Sequence, residues 1–201
     1  MTKTNNGGSS ATKWIIPILI LLGIGIIGYS LFVTFNSGAS TEGIVTCPTP
    51  DTCFWSSHFH IYAPIEICGE EFPLPVELGS LQKSHTHEEK NIIHWHDKLP
   101  YDNVAKKIID TTDLTLGSFY DQVNIPFSST QLDGKTNGDT CSDGTVGTWK
   151  MLVNGKPNTE YRKYEMHDRD VIWTVFDSRT MDEVTQAWSQ TPIRFPTLGN
   201  G

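Results

Sequence analysis

Positive charge is scarce in this chain. Fifteen lysines and arginines stand against 23 aspartates and glutamates, a formal net charge of −8 over 201 residues. No lysine or arginine occurs between Trp14 and Gln82. A general nucleic-acid binder needs a basic face to neutralise phosphates, so that class is excluded. Methionines are also few: Met1, Met151, Met166 and Met181, none of them clustered. This argues against a copper(I) carrier built on thioethers, and no cysteine-to-histidine run lies near a methionine, as a blue-copper site requires. There is no glycine-rich phosphate loop and no Ser/His/Asp or Cys/His nucleophile pattern. Long apolar runs are equally rare. Only one is present, and no second run approaches the roughly 18 residues that a further membrane span needs, which excludes a polytopic membrane protein.

That one run, WIIPILILLGIGIIGYSLFVTF (residues 14–35), carries no charged side chain. As a helix it would be about 33 Å long, enough to cross a hydrocarbon core of about 30 Å. Pro17 falls in the first turn, where a missing N–H costs little. The other reading is a cleaved signal peptide, with Ser37-Gly38-Ala39 as a small-residue site, but the apolar stretch is longer than the usual 7–15 residues. Lys3 and Lys13 precede the span and no basic residue follows it until Lys83, so the N-terminus is expected in the cytoplasm and the rest outside. Residues 36–201 then hold all 23 acidic but only 13 basic residues, a net −10.

The four cysteines agree with export. An even count in an exported domain reads first as two disulfides. Cys47 and Cys53 enclose a short loop that could close locally, which would leave Cys68 to pair with Cys141. A Cys/His metal site is the rival, although C-x5-C is not the spacing of a zinc knuckle. The expected organisation is a polar cytoplasmic tail (1–13), disordered by composition, and a transmembrane helix (14–35). A stalk (36–52) rich in Asn, Ser, Gly, Thr and Pro follows, then a folded domain (53–189) and a tail (190–201).

Within the domain, HFHIYAPIEIC (58–68) alternates. Phe59, Ile61, Ala63, Ile65 and Ile67 form one face, and the histidines lie on the other, as in a half-buried strand. Residues 72–78 alternate too, but Pro73 and Pro75 restrict them to an edge or extended segment. SHTHEEKNIIHWH (84–96) reads as a hairpin. With Glu88–Asn91 as an even loop, His85 faces His94, His87 faces Ile92, and His96 lies on the same face opposite Lys83. Short helices are expected over 101–110 and 115–122, with Asp102 and Thr115 as N-caps. Residues 135–144 read as a loop. Strands are expected at 148–153 and 171–176, a tight turn at Asn154-Gly155, and a last helix at 181–189. The sum is an α+β, sheet-centred domain.

Six of the seven histidines lie between residues 58 and 96, as three His-x-His pairs. On a strand, i and i+2 point the same way, so each pair presents two imidazoles to one face, about 6–7 Å apart. Two such pairs on neighbouring strands can supply three or four nitrogens to one ion, and neutral imidazole suits zinc and copper(II). The candidate ligands are His58, His60, His85, His87, His94 and His96, with Glu88, or its neighbour Glu89, as a carboxylate ligand or an orienting partner. Trp95, on the other face, is expected to pack. His167, ahead of a strand, reads as an ordinary turn residue.

These motifs, together with LTLGSFYDQ, VNGKP and DRDVIWTVF, resemble a family of prokaryotic, largely archaeal, membrane-anchored extracytoplasmic domains with no assigned reaction. Its pattern is roughly H-x-H … I-P … G … H-T-H-D/E … I-H-V/W-E/H … L-G-x-F … V-N-G-K … D-x-D-x-I. The resemblance covers about residues 57–176. By motif it places the six histidines at the family's polar positions, with His96 where many relatives carry Glu and Glu88 where they carry Asp. The stretch from VNGKP onward is similar to the end of β-grasp-like domains. The expectation is a membrane-anchored extracytoplasmic protein that binds copper or zinc, for metal handling or beside a membrane enzyme. Two alternatives are a non-catalytic subunit of a membrane complex, such as a copper-dependent oxygenase, and a His-ligated hydrolase, hydratase or oxidase.

Overall fold

Alternation of apolar and polar residues along residues 52–62 makes one long strand, and its partner is equally long. In the computed structural model, which describes residues 43–198 together with Leu19, Leu22, Gly23 and Gly25, β1 (Ile44–Thr49) pairs antiparallel with β2 (Thr52–Tyr62). The chain then bends at Ala63-Pro64 and enters β3 (Ile65–Ile67) and β4 (Glu70–Phe72), a hairpin of a second sheet. Next come β5 (Ser84–Thr86) and β6 (Ile92–Asp102), which return to the first sheet. The first sheet runs β1-β2-β6-β5, and the short β7 (Lys107–Ile108) pairs with the far end of β6. β2 and β6 are in register from Cys53 opposite Tyr101 to Tyr62 opposite Ile92, so this antiparallel ladder is the spine of the sheet.

Helix α1 (Leu116–Gln122) follows, with Thr115 as its N-cap, accepting from the Ser118 N–H. A small hairpin, β8 (Gln131–Leu132) and β9 (Lys135–Thr136), leads into β10 (Thr148–Val153), β11 (Lys156–Pro157) and β12 (Ile172–Asp177). The second sheet runs β11-β10-β12-β3-β4, with β12 and β3 parallel. The turn between β10 and β11 is Asn154-Gly155, both at positive φ (51° and 78°), the geometry that suits a two-residue hairpin. Helix α2 (Met181–Gln190) begins with a capping box between Thr180 and Glu183. The described domain is thus α+β and sheet-dominated.

Both faces of the second sheet are covered. Met151, Ile172 and Phe176 join Phe59, Ile61, Ile65, Trp95, Leu116 and Phe119 in the main core. Leu152, Trp173 and Val175 pack with Val184 of α2 in a smaller cluster. Cover on both faces explains why every residue of β12 is buried. The histidines lie on the first sheet's other face, where His85 and His94 are buried and His58 is exposed. Two disulfides brace the domain, Cys47–Cys53 across the β1–β2 turn and Cys68–Cys141 between the end of β3 and the loop before β10. They suit an oxidising, extracytoplasmic compartment.

Several sequence expectations need revision. Residues 44–49, assigned by composition to a stalk, form an edge strand because β2 offers them a partner. The helix expected over 101–110 is absent. β2 holds Tyr101 in the ladder, Asp102 pairs with Lys107 of β7, and the Asp102 carboxylate accepts from the Val104 and Ala105 N–H groups to close the turn into β7. The strand expected over 58–68 is split at Pro64 between two sheets. The expected loop 135–144 contains β9. The tail after residue 190 is tied down in part: Ile193 packs on the smaller cluster, and the Arg169 guanidinium stacks on Phe195. The expected cytoplasmic tail (1–13) lies outside the described residues. So does the span 14–35, apart from Leu19, Leu22, Gly23 and Gly25, which are helical. Among the described residues no helix is long and apolar enough to cross a membrane.

Candidate metal centre

Strand register builds the site. On β2 and β6, His58 lies opposite His96 and His60 opposite His94. On β5 and β6, His85 lies opposite His94, and the His96 N–H donates to the Lys83 carbonyl, which continues the even register expected from the loop. His60, His94 and His85 therefore form one row across three strands, with His58 and His96 in the next. The alternate residues Phe59, Ile61, Ile93 and Trp95 point into the core, where the Trp95 indole donates to the Asp113 carbonyl. Core packing on one face thus fixes the histidine lattice on the other.

The rings are close. His94 lies 4.4 Å from His60 and 4.4 Å from His87, centroid to centroid, and 5.5 Å from His85. His58 is 4.7 Å from His60. Two groups of three bring ligand nitrogens within 4.8 Å of one another: His58, His60 and His94, and His85, His87 and His94. Neither group includes His96 or Glu88. The His96 ring sits 4.8 Å from His85 and 5.4 Å from His58, at the margin of both groups. A carboxylate also reaches an imidazole nitrogen of the groups: Glu89 Oε2 is 3.7 Å from His94 Nε2. Loop residues follow no period of two, so nothing in the spacing separates Glu88 from Glu89.

Neighbouring groups orient these rings. His85 Nδ1 lies 3.3 Å from the Lys83 carbonyl, which can only accept, so the proton sits on Nδ1 and the Nε2 lone pair faces the cluster. His85 Nε2 is 2.9 Å from His87 Nε2. With the His85 proton on Nδ1, His87 supplies the hydrogen between them. A zinc ion with Zn–N of about 2.0–2.1 Å places adjacent nitrogens about 3.3 Å apart, so replacing that proton with a metal needs only a small ring movement. His60 is held through its backbone: its N–H donates to Asp168 Oδ1, and its carbonyl accepts from the Arg169 N–H. Gly79, at φ +99°, lets the chain pair edge-on with His85 as an isolated antiparallel bridge; a Cβ there would lie 2.5 Å from the Ser84 carbonyl oxygen. That edge contact beside β5 is a feature that sequence reasoning missed.

Burial sets the electrostatics. It pushes His94 down to about 3, with His60, His87, His85 and His58 adding repulsion between like charges. Burial also lowers His85 and His96. His60 is lowered by burial and then by His58, while Asp168 and Glu89 act in the opposite sense. At neutral pH these imidazoles are uncharged, the form that binds metal. His94 Nε2 is out of reach of solvent and has no hydrogen-bond partner among the described residues. A buried nitrogen lone pair with no donor is costly, and a metal ion would satisfy it. His167 lies in a turn, its side chain largely exposed, 3.5 Å from Asp170. No protein-family model, no curated protein and no solved structure matches this chain.

Proposed function

We propose that this is a membrane-anchored extracytoplasmic protein that binds copper or zinc through the histidines of β2, β5 and β6, for metal handling or beside a membrane enzyme. The observation that carries the reading is His94. His94 is the residue common to two histidine triads on three adjacent strands, and its Nε2 is buried and unpartnered among the described residues. An all-nitrogen, neutral ligand set with a carboxylate nearby suits zinc or copper(II) rather than calcium or magnesium, which take oxygen. The two disulfides support export, and residues 14–35 would supply the anchor. The second sheet, two hairpins around α1 with β3 and β12 as parallel neighbours, supports a β-grasp-like reading of that part. The resemblance to the archaeal family is in keeping with all three.

An enzymatic reading has one observation in its favour. A cleft of about 370 Å³ opens beside His60, lined by Asp168, Arg169 and Phe195, where a metal-bound water would meet a substrate. The experiment for the main reading is metal content. The full chain, purified without a His-tag and dialysed against zinc or copper(II), should retain about one ion per chain, and the His85→Ala/His87→Ala variant should retain almost none while staying folded. Less than about 0.2 ion per wild-type chain would sink the reading.

A further inference from the structure

The two histidine triads differ in exposure yet share a member. His58 is exposed and His60 half-buried, so the His58/His60/His94 group opens to solvent. His85 is 1% exposed and His87 half-buried, so the His85/His87/His94 group is the more enclosed of the two. An ion arriving from solvent meets the first group before the second. We infer that the triads are an outer and an inner position for one divalent transition-metal ion, which passes between them without leaving His94.

The chemistry follows from the shared ligand. Moving from the outer to the inner group exchanges His58 and His60 for His85 and His87, two nitrogens for two nitrogens, with no change in charge. A His94 nitrogen has one lone pair, so an ion that keeps the same His94 nitrogen in both positions excludes a second one, and the proposal sets capacity at one ion per chain. Glu89 reaches from the hairpin loop to 3.7 Å from His94 Nε2, where its carboxylate can hold the ion while the histidines exchange. The net −10 of residues 36–201 raises the concentration of cations around the domain. A protein built this way captures at the more exposed pair, His58 and His60, and retains at the pair that contains the buried His85, which suits carriage of an exchange-labile ion. This inference rests on the metal-binding reading above.

Cobalt(II) is the probe, since its visible absorption reports imidazole ligation, and the full chain in detergent is the sample. In stopped-flow mixing, His58→Gln/His60→Gln should load roughly tenfold more slowly, with nearly unchanged affinity. His85→Gln/His87→Gln should load at the wild-type rate but hold the ion about 100-fold more weakly. Circular dichroism and tryptophan fluorescence confirm the fold, and His58→Gln alone, at an exposed position, keeps the test decisive if a double variant misfolds. Two ions per wild-type chain, or equal loss of affinity in both double variants with unchanged loading rates, would overturn the two-position inference alone. Failure of the wild-type chain to take up cobalt would overturn the metal-binding reading beneath it.

Discussion

Acidification should destabilise the metal-free protein through His94, and the size of the effect can be worked out. In an unfolded chain an imidazole titrates near 6.5. In the folded domain burial pushes His94 down to about 3. Between those values the unfolded state carries a proton that the folded state refuses, so stability falls as pH falls. By pH 5 the difference spans about 1.5 pH units, or about 2 kcal/mol from this one residue. His94 is 9% exposed, so little solvent screening reduces that figure. His85 and His60 act in the same direction, while His167, raised by its hydrogen bond to Asp170, acts in the opposite one. Asp170, held below the usual carboxylate range by His167 and Tyr164 against its own burial, loses its contribution only in stronger acid. The assay is urea unfolding with chelator present, at pH 7 and pH 5, followed by tryptophan fluorescence; Trp95, fully buried behind the histidines, is a suitable reporter. Wild type should lose about 2 kcal/mol more than His94→Gln, a shift of about 1 M in the urea midpoint. Equal pH dependence in the two proteins would show that folded His94 takes up its proton freely, and the desolvation reasoning would be wrong.

Other perturbations probe other parts of the structure. Cys68 and Cys141 close a 73-residue loop and Cys47 and Cys53 a six-residue one. Replacing the first pair with serine should cost about 4 kcal/mol and the second about 2 kcal/mol, read by urea unfolding; a reversed order would contradict the chain-entropy account. Glu89→Gln should weaken metal binding about tenfold, whereas Glu88→Gln should leave it nearly unchanged in a competition titration. Gly155→Ala should lower stability by about 1–3 kcal/mol, because φ is +78° there and a Cβ would lie 2.4 Å from the Trp188 indole nitrogen; an unchanged melting midpoint would count against that crowding.

Periodic features are legible in the amino-acid sequence. Alternation from Phe59 to Ile65 sorts core residues from histidines, and an even loop at Glu88–Asn91 places His85 opposite His94. The Cys47–Cys53 loop and the Asn154-Gly155 turn follow from equally local chemistry, whereas the Cys68–Cys141 pairing, one of three open connectivities, joins residues 73 positions apart. Features that depend on a partner elsewhere in the chain are hidden. Residues 44–49 contain Pro48 and two threonines and become a strand only because β2 lies beside them. Residues 101–110 have apolar spacing compatible with a helix, yet β2 draws Tyr101 into its ladder and Asp102 turns back to pair with Lys107. Pro64 marks the bend between sheets, but the change of sheet depends on β12, whose Thr174 N–H donates to the Pro64 carbonyl. The edge bridge between Gly79 and His85, and the choice of Glu89 over Glu88, likewise depend on three-dimensional placement that no period encodes.

X-ray absorption of the zinc-loaded full chain tests the metal centre most directly. At least three imidazole nitrogens at about 2.0 Å are expected in the wild-type protein, with that shell lost in His94→Gln. A zinc shell made of oxygen alone, or one that survives unchanged without His94, would contradict the assignment of His94 as the shared ligand.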